Sequence, residues 1–500
     1  MNSFIETPHD NKPVLLSDIP TLNNTEFTTQ FNEMLAETKH SLVAYFANPD
    51  KKNLQLFTVI ADNKNKTLKI FSTVPTKPTD TVNSLANEHP VTANFEREMH
   101  EKYGTMFEAH PWLKPIRYTH DRFDQTQTID NYPFLKTENP KHHLVQVGPV
   151  HAGIIEPGAF RFIMQGETIL HLEIAMGYQH RGVENLMINA KNDLTKMSIA
   201  EQIAGDSTVA HAIATALILE QGSKNPVVDS GRIIALELER IAMHIADTAA
   251  LSNDIAYQLG QVTAEALRTI TINTTQLWCG NRFGRTLVRP HGTHYPLTLQ
   301  LIEQIKTNLN QVIKRYNTLA QNLLSTPTLL ARFDEVGKVD RNVALKLGAV
   351  GMAAKMTGIP HDTRTDFAFS KLDDFNPKVQ QSGDILARLK LRIEEVNQSN
   401  DIIENEFKKV VSTWFNTPST PIYNNKLKQN SITISLVEGW RGMIVHAAIT
   451  DEMGTLQNYK IYDPSFRNWA MLAHSVRNAE ISDFPISNKS FNLSYAGADL

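Results

Sequence analysis

The stretch GRIIALELERIAMHIADTAA, residues 231–250, decides the fold class. Its apolar side chains recur every three or four residues and therefore share one face of an α-helix. The same spacing recurs in two later segments, around residues 301–323 and 386–396. Helices of this kind bury their apolar faces against one another, which predicts a helical bundle whose apolar stripes are core rather than cofactor contacts. The three stripes are Ile233, Ile234, Leu238, Ile241 and Ile245; Leu301, Ile305, Leu309, Val312, Tyr316 and Leu323; and Leu386, Leu389, Ile393 and Val396.

Shorter runs rich in β-branched and aromatic residues surround the helical segments. They predict strands at residues 42–47, 54–61, 68–74, 144–149, 160–165, 432–437, 443–449 and 459–463. Helical patterns follow the first three strands at residues 81–87 and 94–103. The fold class is therefore α+β, with a small N-terminal α+β domain and a mainly helical second domain that carries small flanking β-sheets.

Polar composition suggests where the domains begin and end. Residues 1–40 are rich in Asn and Thr and are interpreted as an N-terminal tail with some helix near residues 27–38. The first domain then spans 41–130 and the second 144–500. Residues 131–143 are polar, contain two prolines and lack periodicity, so they are interpreted as a linker.

Composition narrows the possible partners. The chain has 500 residues, 41% hydrophobic and 20% charged, with a formal net charge of −4, which is ordinary for a globular protein and favours neither nucleic acid nor an anionic membrane as partner. No run approaches the roughly 20 apolar residues of a membrane helix. Membrane attachment is therefore expected only through partner proteins. No Gly-rich phosphate loop precedes a helix, so NAD binding is not expected.

The sequence contains one cysteine, Cys279. A single cysteine cannot form an internal disulfide, and it cannot supply the thiolates of a zinc site, an iron–sulfur cluster or a nickel–iron centre. Cys279 follows Trp278 in a helical stretch, and we expect it to be a small buried apolar residue.

Several motifs carry a resemblance to a known family. NFEREMHEKYG at 94–104, followed by FEAHP at 107–111, resembles the 30-kDa-type subunit of complex I. VGPVHAGIIEPG at 147–158 resembles the entry strand of the large subunit of group 4, formate-hydrogenlyase-type hydrogenases. HRGVE at 180–184 resembles a motif shared by those hydrogenases and the 49-kDa-type subunit of complex I. The resemblance runs from about residue 40 to the end, and further matches lie at 348–351, 362–366, 437–442 and 463–469.

The chain departs from the family at the metal ligands. The resemblance implies four cysteines around nickel and iron, and the matching positions here are Ala204, Ser207, Ser494 and Gly497. A methyl group, two hydroxyls and a hydrogen cannot replace soft thiolates. We therefore expect no nickel and no hydrogen chemistry at this site.

The resemblance also raises quinone reduction. The complex I subunit uses a histidine in the entry-strand loop and a tyrosine near the first long helix. The histidine matches His151, but the tyrosine position falls on or beside Gly205. Quinone is therefore a possible cofactor, with half of the implied pair present.

The remaining polar residues predict a pocket where the metal lies in the relatives. Glu184 matches a glutamate that passes protons, and Arg441 matches an arginine that overhangs the metal. A buried arginine without metal needs a carboxylate, and Asp206 is the candidate. Together with His151 and His446, these residues are expected to carry protons or bind a quinone headgroup.

Other polar residues near these motifs have two interpretations. His180 and Arg181 are possible cofactor-binding residues, and His180 would share a helical face with Glu184 if that segment were helical. The alternative for His180 and Glu184 is a surface pair. His211 and His244 lie in helical patterns and are interpreted as hydrogen-bonded core or surface histidines.

Two functions remain open from the sequence. The first is an oxidoreductase subunit that couples electron transfer to proton or ion translocation, with a small iron–sulfur subunit and antiporter-like membrane subunits as partners. It would lie peripherally on the cytoplasmic side of the inner membrane. The second is a non-catalytic coupling or scaffold subunit. An open channel lined with charged residues would favour the first, and an apolar-filled site would favour the second.

Overall fold

The long helices expected from the apolar periodicity form the centre of the second domain. The structure is a computed structural model that describes residues 3–8, 10–50, 53–74, 81–151, 156–222, 226–367, 369, 372, 374–412 and 426–500. Its strands are β1 (Ile5–Pro8), β2 (Val14–Leu15), β3 (Thr21–Leu22), β4 (His40–Asp50), β5 (Asn53–Asp62), β6 (Thr67–Thr73), β7 (Thr81–Asn83), β8 (Met106–Glu108), β9 (His143–Val147), β10 (Ala159–Gln165), β11 (Thr168–Ala175), β12 (Val288–Arg289), β13 (Gly292–Thr293), β14 (Ser431–Gly439), β15 (Gly442–Thr450) and β16 (Leu456–Tyr462).

Its α-helices are α1 (Asn24–Ala36), α2 (Ala93–Tyr103), α3 (Val183–Asn189), α4 (Asp193–Ala200), α5 (Thr208–Glu220), α6 (Pro226–Asp254), α7 (Gln258–Cys279), α8 (Leu299–Ser325), α9 (Pro327–Leu330), α10 (Arg341–Lys346), α11 (Met352–Lys355), α12 (Thr363–Asp366), α13 (Ile385–Ser412), α14 (Pro464–Ser475), α15 (Phe484–Phe491) and α16 (Tyr495–Asp499). Short 3-10 helices lie at Leu16–Asp18, Pro90–Thr92, Ile129–Asn131 and Ile481–Asp483. The mixture confirms the predicted α+β class.

The N-terminal domain is a sheet in the order β1-β6-β5-β4, with β3 parallel to β6. The three predicted strands near the N-terminus correspond to β4, β5 and β6, and the helix predicted at 94–103 is α2. The helix predicted at 81–87 is wrong, because this segment forms β7, which pairs in parallel with β8. Its Val82 is buried between exposed Thr81 and Asn83, which is the alternation of a strand.

The interpretation of residues 1–40 as a tail is wrong. β1 pairs with β6, and α1 buries Phe27 and Phe31 in the domain core. α1 begins with a capping box in which Asn23 and Glu26 each accept the other's backbone N–H, at 2.9 and 3.2 Å. β2 reaches further and pairs with β14 of the second domain. The polar composition of the segment conceals the few apolar side chains that anchor it.

The two domains share a hydrophobic core. Apolar residues of the N-terminal sheet pack in one cluster with those of a second sheet, ordered β16-β15-β14-β2. The chain between them, at 132–142, contains no helix or strand and leads into β9. β14, β15 and β16 lie where the sequence predicts strands, as do β9 and β10.

The helical bundle is built from α6, α7, α8 and α13, with α5 packed on β14 and β15. The predicted stripes of α6 and α8 are buried in its core, and Cys279 lies buried at the end of α7, as expected. The Cys279 thiol contacts the carbonyls of Thr275 and Asn281 at 3.5 and 3.3 Å. Within the described residues, no helix combines the length and apolarity needed to cross a membrane.

Candidate functional site

Arg441 lies in the tight turn between β14 and β15, beside the loop that precedes α5. Its guanidinium donates two hydrogen bonds to Asp206, each 2.6 Å long, so the predicted pairing is confirmed. The Arg441 side chain is 4% exposed and that of Asp206 is 34% exposed. Burial acts to lower the pKa of Arg441, but the Asp206 carboxylate outweighs it and raises the pKa. The Arg441 cation is therefore buried, while its partner Asp206 is partly exposed to solvent.

Neighbouring backbone holds this turn in place. Gly351 has a φ of +58°, and a Cβ there would lie 2.2 Å from the Arg441 carbonyl oxygen. Trp440 donates its indole N–H to the Asp206 carbonyl at 2.8 Å, and the Arg441 guanidinium stacks 4.0 Å from the centre of the Trp440 ring. The position of Arg441 is thus set by contacts on both sides of the turn.

The four positions that the resemblance assigns to metal ligands lie close to Arg441 and Asp206, but their residues have structural roles here. Ala204, Ser207, Ser494 and Gly497 are all buried. The Ser494 hydroxyl caps α16 by accepting the Gly497 N–H at 2.9 Å, and a Cβ at Gly497 would lie 2.7 Å from the Asp463 carboxyl carbon. No thiolate is available and one position has no room for a side chain. These residues do not fit a nickel–iron centre.

A buried hydrogen-bond chain begins at the Asp463 carboxylate. His211 Nε2 lies 3.2 Å from Asp463, His211 Nδ1 lies 3.0 Å from His446 Nε2, and His446 Nδ1 lies 2.9 Å from the Tyr459 hydroxyl. All four side chains are at most 1% exposed. His211 is thus the hydrogen-bonded core histidine that was expected.

Burial and hydrogen bonds shift the pKa values of several members of this chain. Burial favours the neutral form of Asp463, but its hydrogen bond from His211 outweighs burial and lowers the pKa. Burial and the neighbouring His211 hold the pKa of His446 well below its usual range, so His446 is neutral. His211 Nε2 can donate to the ionised Asp463, and the neutral His446 ring can accept on one nitrogen while donating from the other. Burial raises the pKa of Tyr459, so its hydroxyl keeps its proton and ends the chain.

The opposite face of β16 carries an ion cluster. Lys460 contacts Glu98 at 2.9 Å and Glu184 at 2.8 Å, and Arg117 also pairs with Glu98. Successive side chains of a strand point to opposite faces, so Asp463 and Tyr459 face the histidines while Lys460 faces the carboxylates. Glu184 also accepts the Ile461 N–H at 3.1 Å. The predicted relay residue is therefore held in an ion pair on a different side of the strand from His446.

The other predicted site residues have separate positions. α3 begins only at Val183, after Gly182, so His180 lies outside the helix and the condition for it to share a helical face with Glu184 is not met. His180 bonds the Asp499 carbonyl at 2.9 Å. Arg181 donates to the carbonyls of Gln202, Ile203 and Ala496 at 2.6 to 2.9 Å and so joins the two segments that carry the family ligand positions.

His151 lies at the edge of the site. Its Nε2 contacts the Gly158 carbonyl at 2.6 Å, while residues 152–155 of its motif lie outside the described residues. Gly205, at the family tyrosine position, is exposed, and a Cβ there would have no neighbour within 4 Å. The described contacts of His151 therefore do not join it to Arg441 and Asp206.

Sequence reasoning gave no role to several site residues. Asp463, Lys460 and Glu98 are buried and charged, and Glu156 accepts the backbone N–H groups of Tyr495 and Ala496 at 3.3 and 3.2 Å. Burial, and then the nearby Asp206, raise the pKa of Glu156. Asp463 opens the motif at 463–469 and Glu98 lies in the motif at 94–104, so their motif membership was the available signal.

The two domains match two families of complex I subunits. Residues 23–143 match the family described as respiratory-chain NADH dehydrogenase, 30 Kd subunit, and residues 258–433 match the respiratory-chain NADH dehydrogenase, 49 Kd subunit. The chain belongs to the family of complex I-like, hydrogenase-related oxidoreductase subunits in which these two domains are fused.

Individual relatives agree with this assignment. Formate hydrogenlyase subunit 5 of Escherichia coli (strain K12) is 25% identical over 78% of this chain and 69% of the relative. Hydrogenase-4 component G of the same organism is 24% identical over 78% of this chain and 68% of the relative. A subunit of the NADH-quinone oxidoreductase of Thermosipho melanesiensis is 26% identical over 54% of this chain and 75% of the relative.

Proposed function

We propose that this subunit couples electron transfer to proton or ion translocation, and that its site handles protons without nickel. The observation that carries the proposal is that the four metal-ligand positions hold no cysteine while polar groups surround them. The Arg441 and Asp206 pair persists at 2.6 Å, and the chain from Tyr459 to Asp463 ends beside Gly497, a lost ligand position. A decayed metal site filled with apolar side chains would have neither.

The residues have distinct roles in this proposal. His211 and His446 are the groups that hold and pass protons next to Asp463, because each imidazole can accept on one nitrogen while donating from the other. Asp206 and Glu156 are the carboxyl groups that can take the proton onward. Arg441 keeps Asp206 oriented through its two hydrogen bonds.

Electrons must come from another subunit in this proposal, because one cysteine cannot hold a cluster. We infer a small iron–sulfur partner, antiporter-like or complex I-like membrane subunits, and a peripheral position on the cytoplasmic side of the inner membrane. Quinone is the proposed acceptor. The open space beside Gly205 and the exposed oxygen face of Asp206 offer a polar headgroup a point of approach.

The test uses the assembled membrane complex purified with this subunit. We expect Asp463→Asn to reduce quinone-dependent turnover and ion translocation by roughly tenfold or more, since a positioned proton-transfer group contributes at least that much. Glu184→Gln should also impair turnover, because it removes the negative charge that pairs with Lys460. Glu303→Gln is the matched control, since that side chain on α8 is 72% exposed.

Two outcomes would contradict the proposal. Full turnover in both Asp463→Asn and Glu184→Gln, in a complex that assembles normally, would identify a coupling or scaffold subunit. The ion pair between Lys460 and Glu184, 2.8 Å long, favours a coupling or scaffold subunit, because it gives Glu184 a structural role. Nickel present in a one-to-one ratio in the purified complex would overturn the nickel-free assignment.

A further inference from the structure

A cavity of about 340 Å³ lies between the N-terminal domain and the hairpin that carries Arg441. Most of its wall is apolar, including Leu42, Val91, Ala349 and Met443. Exposed residues such as Glu88 form its rim, so the cavity opens to the surface. At its inner end lies Glu438, whose side chain is 1% exposed. A cavity that opens to the surface is thus lined by a buried carboxyl group.

Glu438 belongs to a buried ion cluster that joins α6, α11, α12, α13 and β14. Its cations are Lys355, Arg240 and Arg364, and its other carboxylates are Glu237, Asp362 and Glu395. The contacts are Lys355 to Asp362 at 3.0 Å, Lys355 to Glu395 at 2.6 Å, Arg364 to Asp362 at 2.8 Å, Arg364 to Glu237 at 3.1 Å, Arg240 to Glu237 at 3.1 Å and Arg240 to Glu395 at 3.5 Å. Three cations and three carboxylates therefore neutralise one another.

Glu438 is the fourth carboxyl group of this cluster. Its closest cation is Lys355, at 3.6 Å, which is longer than the other contacts of Lys355. His244 contacts Glu395 at 2.7 Å, but burial lowers the pKa of His244 and so favours the neutral ring. A charged Glu438 would leave one negative charge uncompensated in a buried region, which is costly.

The hydrogen bonds of Glu438 also favour its protonated form. Its Oε2 accepts the N–H and hydroxyl of Thr363 at 3.0 and 3.1 Å. Its Oε1 is buried and has no hydrogen-bond partner within the described part of the chain. A protonated carboxyl carries its O–H on one oxygen and accepts on the other. Oε1, which lies 3.6 Å from the Lys355 ammonium, is the oxygen left without a hydrogen bond, and Glu438 itself lines the cavity.

We propose that Glu438 is a proton-binding site that exchanges its proton with solvent through this cavity. Burial and the nearby Asp362 raise the pKa of Glu438 to about 7, which places the exchange near neutral pH. The other titratable or charged groups along the cavity wall are His40, Glu88, His89, Lys346, His361 and Arg467. The site is distinct from the Asp463 chain and does not depend on the function proposed for it.

Protonation at Glu438 acts next to the Arg441 turn. Arg240 donates to the backbone carbonyls of Glu438 and Gly439 at 2.7 and 3.3 Å. A change of charge at Glu438 therefore changes the electrostatic environment of Arg240, which supports the backbone at the start of the Arg441 turn. The cavity thus gives the domain interface a proton site three residues before Arg441 in the chain.

The test is infrared difference spectroscopy of the full chain between acidic and alkaline pH. We expect a carboxylic-acid carbonyl band that titrates with a midpoint near 7, disappears in Glu438→Gln and persists in Glu88→Gln at the cavity rim. Burial also raises the pKa of Glu96 to about 7, so Glu96→Gln identifies that separate band. Ala349→Leu, which narrows the cavity, should slow hydrogen–deuterium exchange of the Glu438 band severalfold.

Stability gives a second readout that does not need band assignment. A carboxyl whose pKa is raised in the folded protein stabilises the fold at low pH and loses that contribution as the pH rises through the folded pKa. Glu438→Gln resembles the protonated form, so it should remain folded and lose less stability than the wild type between mildly acidic and alkaline pH. An unchanged difference spectrum together with an unchanged pH dependence of stability in Glu438→Gln would overturn the proposal.

Discussion

Arg441 is a buried cation that depends on a partly exposed partner. Replacing Asp206 with Asn keeps the shape of the side chain but removes its charge and leaves the guanidinium uncompensated. We expect a loss of about 1–2 kcal/mol in the free energy of unfolding, less than for a fully buried pair because Asp206 is 34% exposed. Denaturant unfolding of the full chain measures this loss.

A double variant controls for the lost cation. Arg441→Gln combined with Asp206→Asn removes both charges, so it should be less destabilised than the sum of the two single variants. Additive effects would mean that the two groups do not interact in solution.

The sequence could predict the pair but not the histidine chain. A buried arginine requires a carboxylate, and Asp206 lies between Ala204 and Ser207, two positions that the resemblance assigns to metal ligands. His211 and Asp463 are 252 positions apart, and their contact depends on how α5 packs against the end of β16. No spacing rule connects residues across that distance. The same limit applies to Glu98 and Lys460, which come from different domains.

At the scale of elements, α1 is the segment whose role differs most from expectation. Phe31 is fully buried between the N-terminal sheet and His89. Phe31→Ala should reduce the free energy of unfolding by about 3–5 kcal/mol, because it opens a cavity in a core shared by both domains. Glu33→Ala on the exposed face of the same helix is the control. Equal stability of the two variants would restore the interpretation of residues 1–40 as a tail.

Periodicity explains which elements were predictable. The bundle helices are long and keep an apolar stripe over many turns, so local sequence is sufficient to identify them. β1, β2, β3 and β7 contain two to four residues each, and partners distant in the chain decide their conformation. Such short runs carry too little pattern to separate a strand from a loop or a helical turn.

Considered as a whole molecule, the chain carries two opposed sets of buried titratable groups. Burial lowers the pKa of His110 to about 4 and that of His446 well below its usual range. Burial raises the pKa of Glu239 to about 8 and that of Glu96 to about 7. The histidines are neutral in the folded protein, and the carboxyl groups retain protons there.

The two sets make opposite contributions to the pH dependence of stability. Below about 6.5 the unfolded chain binds protons on histidines that the folded protein keeps neutral, so the histidines make stability fall as the pH falls. From about pH 4.5 up to the folded pKa, about 7 for Glu96 and about 8 for Glu239, the folded protein keeps protons that the unfolded chain has lost, so these carboxyl groups make stability fall as the pH rises. Each group contributes at most about 1.4 kcal/mol per pH unit. Between about pH 6.5 and about pH 8 only the carboxyl groups of these two sets contribute, so thermal unfolding should show stability falling as the pH rises.

Single substitutions separate the two contributions. Glu239 accepts the N–H groups of Val209 and Ala210 at 2.7 and 3.3 Å, and Glu239→Gln should reduce the fall in stability between about pH 6.5 and about pH 8. His446→Gln should leave that fall unchanged and reduce the loss of stability below about pH 6.5, because it removes a ring that the fold keeps neutral. Glu303→Gln, at an exposed position, should leave both contributions as in the wild type. A wild-type stability that continues to rise from about pH 7 to about pH 8 would show that the buried carboxyl groups are ionised in the folded protein.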